Sequence, residues 1–192
     1  MELILIRHGL PVRKQTTDGK PADPPLSEIG LQQAQLVAES LKDIKLDKIY
    51  SSPMRRAFQT AEPLSELKSL DIEINDGIAE YDRHSDVYIP VEELKEIDYD
   101  AWLRLMRDDS DDDFKKFAAT VCQSIEGIIS DNKGKRVALA CHGGVINVWA
   151  SYVLGMDAKM FFNPNYTSVN RFMAASSGEK SLVTLNEHTH LL

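Results

Sequence analysis

Leu3-Ile4-Leu5-Ile6-Arg7-His8-Gly9 is a wholly apolar run that passes directly into arginine, histidine and glycine. Four aliphatic residues in a row, with no polar alternation, read as a strand buried on both faces. The same form returns late in the chain, where Val137-Ala138-Leu139-Ala140 runs into Cys141-His142-Gly143-Gly144. Amphipathic helices are expected around these strands. Ser27 is a good N-cap for one, with Ala34, Val37, Ala38 and Leu41 on one stripe. Ser51-Ser52-Pro53 opens a second, with Met54, Ala57, Ala61 and Leu64 on one face, and Pro63 is expected to bend or interrupt it. Phe114, Phe117, Val121, Ile125 and Ile128 mark a third, and residues 145–154 a fourth. Residues 46–50, 72–74, 168–174 and 182–185 read as further strands, the last two antiparallel to each other about a turn at Gly178. Strands alternating with helices predict an α/β fold, a three-layer α/β/α sandwich with a mainly parallel central sheet and an antiparallel edge strand.

A chain of 192 residues suffices for one domain with a real core, so residues 1–192 are expected to form a single unit. The formal charge of −8 repels nucleic acid and anionic membranes, so neither is an expected partner. A phosphate site must then be a local positive spot in a negative field. No apolar stretch approaches a membrane span, and Met1-Glu2 followed by a very short apolar run is a poor signal peptide, so a cytoplasmic location is expected. Cys122 and Cys141 sit in apolar settings and read as buried thiols. Residues 10–25 hold five Pro or Gly among polar residues and are expected to lack regular structure. Residues 81–113 differ in character: from 92 to 113 ten acids face three bases. They read as an acidic helical insertion, either a solvated face or a lid. Asp108 to Asp113 lacks the spaced ligands and turn glycine of a calcium loop.

Both His-Gly pairs follow strands, and in open α/β sheets ligands bind at the carboxyl ends of strands. Two histidines placed this way can face one crevice. Arg7 precedes the first, and Arg55-Arg56 lie at the start of the second helix, where backbone amides add positive charge. Guanidinium groups suit phosphate oxygens, and an imidazole supplies a nitrogen nucleophile. From these features alone, ordinary hydrogen-bonded or surface residues remain the commoner reading.

Leu5-Ile6-Arg7-His8-Gly9 resembles the Arg-His-Gly signature of the histidine phosphatase superfamily, the phosphoglycerate mutase-like proteins. Residues 23–34, Asp-Pro-Pro-Leu-Ser-Glu-Ile-Gly-Leu-Gln-Gln-Ala, resemble a second segment of that family. Residues 51–61, Ser-Ser-Pro-Met-Arg-Arg-Ala-Phe-Gln-Thr-Ala, resemble a third, and Cys141-His142-Gly143-Gly144-Val145-Ile146 resembles its second histidine motif. The resemblance implies that His8 attacks phosphorus and becomes phosphohistidine. A backbone carbonyl would hold the other ring N–H. Arg7, Arg56, His142 and the Gly143 amide would bind the phosphoryl group. Glu80 would be the general acid and base, with Asp82 second choice. No metal and no cofactor are implied. The partner would be a phosphorylated small molecule or phosphoprotein, and the oligomeric state is not implied.

The chain departs from the mutase pattern. Leu10-Pro11-Val12-Arg13-Lys14 replaces a glutamate and a later asparagine, and Tyr81-Asp82-Arg83-His84-Ser85 lacks the glycines that follow the mutase acid. This points away from a glycolytic mutase and toward a phosphatase. Arg13, Lys14, Arg55 and Arg83 are either substrate contacts or surface charges. His84 borders the cleft or is solvated, and His188 and His190 are expected to tie down the tail. A mutase-like phosphotransferase and a non-catalytic module that binds phosphoryl groups are the alternatives.

Overall fold

The computed structural model of the protein describes residues 1–106 and 112–192, the side chains of residues 104–106 excepted. Part of the acidic run, including Asp108, Asp109 and Asp111, therefore lies outside the described residues. The same holds for most of the segment weighed as a calcium loop.

Strand β1 (Glu2–Arg7) leads through the two-residue strand β2 (Lys14–Gln15) to helix α1 (Glu28–Ser40), strand β3 (Lys48–Ser51) and helix α2 (Arg55–Lys68). Strand β4 (Ile72–Ile74) and a 3-10 turn (Asp76–Ile78) precede β5 (Val87–Tyr88), α3 (Val91–Ile97) and α4 (Tyr99–Met106). Then come α5 (Asp112–Asp131), β6 (Arg136–Cys141), α6 (Gly143–Val153), β7 (Val169–Ala174), β8 (Lys180–Glu187) and a closing 3-10 turn (Thr189–Leu191).

The main sheet has the order β4-β3-β6-β1-β7-β8. Its first four strands are parallel, while β7 runs antiparallel to β1 and β8 antiparallel to β7. The last two strands are antiparallel to each other as expected, β7 alone runs against the other strands, and Gly178 sits at φ 108° in the turn between them. The alternating side chains of β1 divide as a strand must. Leu3 and Leu5 join the core under α5 and α6 with Val121, Ile125, Val145 and Trp149. Ile4 and Ile6 join the core under α1 and α2 with Val37, Leu41, Ile49 and Leu64. Strand β6 does the same, with Val137, Leu139 and Cys141 on the first face and Ala138 and Ala140 on the second. The mixed architecture is thus a sheet between two helical layers.

Two local expectations change. Helix α2 runs through Pro63 to Lys68 rather than stopping. Leu64, next to it, is 1% exposed and holds this turn on the sheet despite the missing amide. Residues 10–25 are not wholly irregular, because Lys14–Gln15 pairs with Val87–Tyr88 in a small antiparallel ribbon. That ribbon ties the loop to the insertion. The tail is anchored as expected: Asn186 and His188 meet Asn165, and His190 Nε2 lies 3.1 Å from Thr167 Oγ1. Both cysteines are at least half-buried, and burial raises the pKa of each thiol. No helix among the described residues is long and apolar enough to cross a membrane.

Candidate active site

Strands β1 and β6 are neighbours, and Arg7 pairs with Cys141 at the end of both. The next residue of each is a histidine, so the register itself delivers His8 and His142 to one place. Their ring centroids are 5.1 Å apart. Both rings are buried, at 3% and 0% exposure. The His8 backbone is pinned on both sides: its amide donates to the Cys141 carbonyl at 2.9 Å, and its carbonyl accepts from the Thr167 amide at 3.3 Å.

The His8 tautomer follows from its partners. Nε2 lies 3.3 Å from Arg56 Nε, which can only donate, so Nε2 carries a lone pair. Nδ1 then holds the proton and donates to the Gly9 carbonyl at 2.8 Å. Burial, then the charges of Arg56 and Arg7, lower the His8 pKa well below the ordinary histidine value, against a smaller opposing effect of the Gly9 carbonyl. His142 is lowered too, by burial first and then by Arg56. Its Nε2 lies 2.8 Å from Ser52 Oγ. The Met54 amide donates to that oxygen at 3.2 Å, so the hydroxyl proton is free to point at the ring.

Arg56 is 1% exposed. Its Nη2 donates to Asp82 Oδ1 at 2.8 Å, and its guanidinium lies 4.5 Å over the Tyr88 ring, the ring that the small ribbon positions. Arg7 has a parallel arrangement on the other side. Its guanidinium lies 4.0 Å over the Tyr166 ring, and Nη1 donates to the Pro164 carbonyl and reaches Asn163 Oδ1 and Glu92 Oε1 at 3.4 and 3.5 Å. A buried guanidinium carries a large desolvation cost, and each of these has a carboxylate and an aromatic face to offset it. Yet donors remain unused. Arg7 Nε, Arg56 Nη1 and His142 Nδ1 are buried without a hydrogen-bond partner among the described residues. Leaving a buried donor unpaired costs about 1–3 kcal/mol, and more for a charged one. Three such donors, on residues that border the two histidine rings, are able to receive an anion.

Glu80 is half-buried beside the start of α6. Its carboxyl oxygens accept from the amides of Tyr81 at 3.0 Å and Gly144 at 2.8 Å. Burial raises its pKa, and the nearby Asp82 adds to this, outweighing those two amides. A Cβ at Gly144 would lie 2.2 Å from Glu80 Oε1. Close approach therefore belongs to Gly144 rather than Gly143, where an added Cβ would meet only Pro164 and Arg7 at 3.8 and 3.9 Å. Gly9 is also tight, but against the Gly30 carbonyl at 2.6 Å, so it seats α1 rather than a ligand.

The structure thus brings together His8, His142, Arg7, Arg56 and Gly143, with Asp82 bonded to Arg56 and Glu80 bonded at Gly144. It engages the other cations elsewhere. Arg13 pairs with Glu93 at 3.1 Å, both exposed, and Arg83 with Asp76 at 3.5 Å. Lys14 Nζ donates to the Asp23 carbonyl, while Arg55 is exposed and gives its backbone amide to Asp23 Oδ1. Residues that sequence reasoning missed are Glu92, Tyr88, Tyr166 and Asn147. Asn147 bonds the Gly143 carbonyl and the backbone of Phe161 and Phe162, tying α6 to the loop that holds Arg7. Motif residues Gln33, Gln59 and Thr60 accept from the amides of Leu10, Leu26 and Gly9 and hold the loops around His8. Among the described residues no group of three or more His, Cys, Asp or Glu side chains is placed to hold a metal ion.

Comparison with known proteins places the chain in a family. Phosphoserine phosphatase 1 of Hydrogenobacter thermophilus is 28% identical over 176 residues, covering 85% of this chain and 81% of that protein. The crystal structure of phosphoserine phosphatase from Entamoeba histolytica, in complex with 3-phosphoglyceric acid, superposes with a TM-score of 0.76 at 25% identity, covering 100% of this chain and 99% of that one. A mycobacterial glucosyl-3-phosphoglycerate phosphatase shares the fold at a TM-score of 0.78 and 21% identity, with 97% and 99% of the two chains covered. Residues 3–188 match the histidine phosphatase superfamily (branch 1), and the chain belongs to that family.

Proposed function

We propose that the protein is a metal-independent phosphomonoester hydrolase that works through a phosphohistidine on His8, with Glu80 as acid and then base. The observation that carries this reading is the His8 ring: its Nδ1 proton is held by the Gly9 carbonyl and its Nε2 lone pair is turned toward Arg56. In the first step that lone pair attacks phosphorus. The bond from phosphorus to the ester oxygen breaks, and Glu80 gives its proton to the departing oxygen. The phosphorylated ring is cationic, and the Gly9 carbonyl stabilises its N–H. In the second step Glu80, now a carboxylate, takes a proton from water as the water oxygen attacks phosphorus. The P–N bond breaks, its electron pair returns to Nε2, and phosphate leaves.

The unpartnered donors on Arg7, Arg56 and His142, together with the Gly143 amide at the start of α6, match the phosphoryl oxygens. They would offset the phosphoryl charge with the protein's own side chains and one backbone amide. Relatives named as phosphatases, and the departures from the mutase pattern at residues 10–14 and 81–85, favour hydrolysis over transfer. The test is release of inorganic phosphate from a panel of phosphate monoesters in the presence of a chelator. Turnover is expected to persist. Loss of turnover on chelation, restored by a divalent cation, contradicts the reading.

The Glu80 seat gives a separate prediction. In Gly144→Ala the new methyl group occupies the place of the carboxyl oxygen. The expected result is a fall in kcat of about 10–100-fold with KM within about threefold, because proton transfer suffers while phosphate binding does not. Steady-state kinetics on an alkyl phosphate measures both. An unchanged kcat means that Glu80 has no proton to manage.

A further inference from the structure

We propose that the rim of this pocket selects its ester by charge: Asp82 and Glu92 favour organic groups that are cationic or neutral and reject those bearing a second anion. This rests on the phosphatase reading above and names its substrate class.

The four residues that surround the proposed phosphoryl position, Arg7, His8, Arg56 and His142, are each at most 5% exposed. The organic part of a bound ester must therefore leave the pocket past its half-exposed rim. Three rim side chains bond the pocket guanidiniums directly, and the two that carry charge are carboxylates; the third, Asn163, is neutral. Asp82 lies on Arg56 with its side chain 34% exposed, and Glu92 lies on Arg7 with its side chain 48% exposed. Glu92 comes from α3 in the acidic insertion and is held in place. It accepts from the Tyr166 hydroxyl at 2.5 Å and from Asn163 Nδ2 at 3.2 Å. Burial alone would raise its pKa, but Arg7, Tyr166 and Asn163 together hold it below the usual glutamate value, so it is ionised at neutral pH.

With both arginines already matched by carboxylates and both histidines neutral, the phosphoryl group takes up the remaining donors. A second anion on the substrate then meets Glu92 or Asp82 within a few ångströms, in a partly buried cleft where such repulsion is poorly screened. An ammonium or hydroxyl group there finds an acceptor instead. The nearby cations do not reverse this. Arg13 is matched by Glu93, Lys14 is turned to a backbone carbonyl, and Arg83 is matched by Asp76. Arg55 is exposed at the start of α2 and serves as the control.

The test uses three esters of similar size: phosphoethanolamine with an ammonium, ethyl phosphate with no charge, and phosphoglycolate with a carboxylate. In the wild type, kcat/KM for phosphoethanolamine is expected to exceed that for phosphoglycolate by about tenfold or more. Glu92→Gln keeps the size of the side chain and removes its charge, with the amide oxygen still able to accept from Arg7 and Asn163 and the amide nitrogen donating to the Tyr166 hydroxyl oxygen instead of accepting from it. It should shrink that ratio by about tenfold, chiefly by improving phosphoglycolate. Arg55→Gln should leave the ratio within about threefold. A wild-type preference for phosphoglycolate overturns the proposal. So does an equal loss on all three esters in Glu92→Gln, which would make Glu92 a positioning residue for Arg7 alone. A shift in Arg55→Gln as large as that in Glu92→Gln also overturns it, because the effect would then be a general field. If the wild type turns over none of the three, the hydrolase reading fails separately, and calorimetric Kd values for the same esters decide the charge preference.

Discussion

His8→Ala is expected to lose at least about 10⁴-fold in kcat on every phosphate monoester, because no other group can take over as phosphoryl acceptor. Among the described residues the neighbouring ring stands nearest to that role, and His142 is committed through Nε2 to Ser52. Its free nitrogen, Nδ1, is read as a donor to the phosphoryl oxygens rather than as an attacking atom. The loss should appear in kcat rather than in phosphate binding, since Arg7, Arg56 and the start of α6 remain. Folding is separated from chemistry by the pH dependence of melting. His8 and His142 have folded pKa values depressed below the ordinary 6.5. A depressed group contributes stability that is present above the unfolded pKa and is lost as pH falls toward the folded value. The wild-type melting temperature should therefore drop as pH goes below about 6.5, and His8→Ala should drop less steeply over the same range. Activity that survives the substitution within a factor of ten refutes the role of His8.

Glu80→Gln carries the second largest effect, about 10²–10⁴-fold in kcat on alkyl phosphates. An alkoxide leaves only with a proton, and glutamine has none to give. The working state needs neutral His8 and protonated Glu80. Burial pushes the first pKa down and the second up, so both groups are shifted toward that state. The alkaline limb of kcat should follow Glu80 losing its proton, and that limb should vanish in Glu80→Gln. The leaving group provides the sharper check. Nitrophenolate departs without protonation, so the first step on p-nitrophenyl phosphate should survive while the second, which needs a base for water, should not. The variant is then expected to give a burst of nitrophenolate equal to the enzyme concentration, followed by slow turnover. A uniform loss on both substrates, with no burst, assigns the acid and base elsewhere, and Asp82 is next in line.

The parts that were legible in the chain are those set by local physics. Two uninterrupted aliphatic runs declare buried strands, and a serine before a 3.6-residue stripe declares a capped helix, as Ser27 does by accepting from the Gly30 amide at 3.0 Å. The pairing of β1 with β6 was not legible, because register is a tertiary fact, yet it is what puts the two imidazoles side by side. The family motifs located the histidines and arginines but said nothing of what holds them. Tyr88 and Tyr166 lie in stretches without a motif, and their stacking on Arg56 and Arg7 depends on the small ribbon and the loop before β7. Glu92 looked like one acid among ten in a solvated run. Only the fold distinguishes it, by setting it on Arg7. The adjacent glycines of α6 could not be told apart in the chain, since the tight one is defined by a carboxylate arriving from another segment. Arg13 and Arg83 stood open between anion contacts and surface charges, because sequence shows a charge and not its partner.

The most direct measurement is a rapid quench of the enzyme during turnover of a radiolabelled ester, followed by identification of the labelled peptide. The account predicts one phosphoryl group on His8, labile in acid and stable in base. It should build up in Glu80→Gln on an activated ester and be missing in His8→Ala. Steady turnover with no labelled protein, or with the label on any other residue, would contradict it.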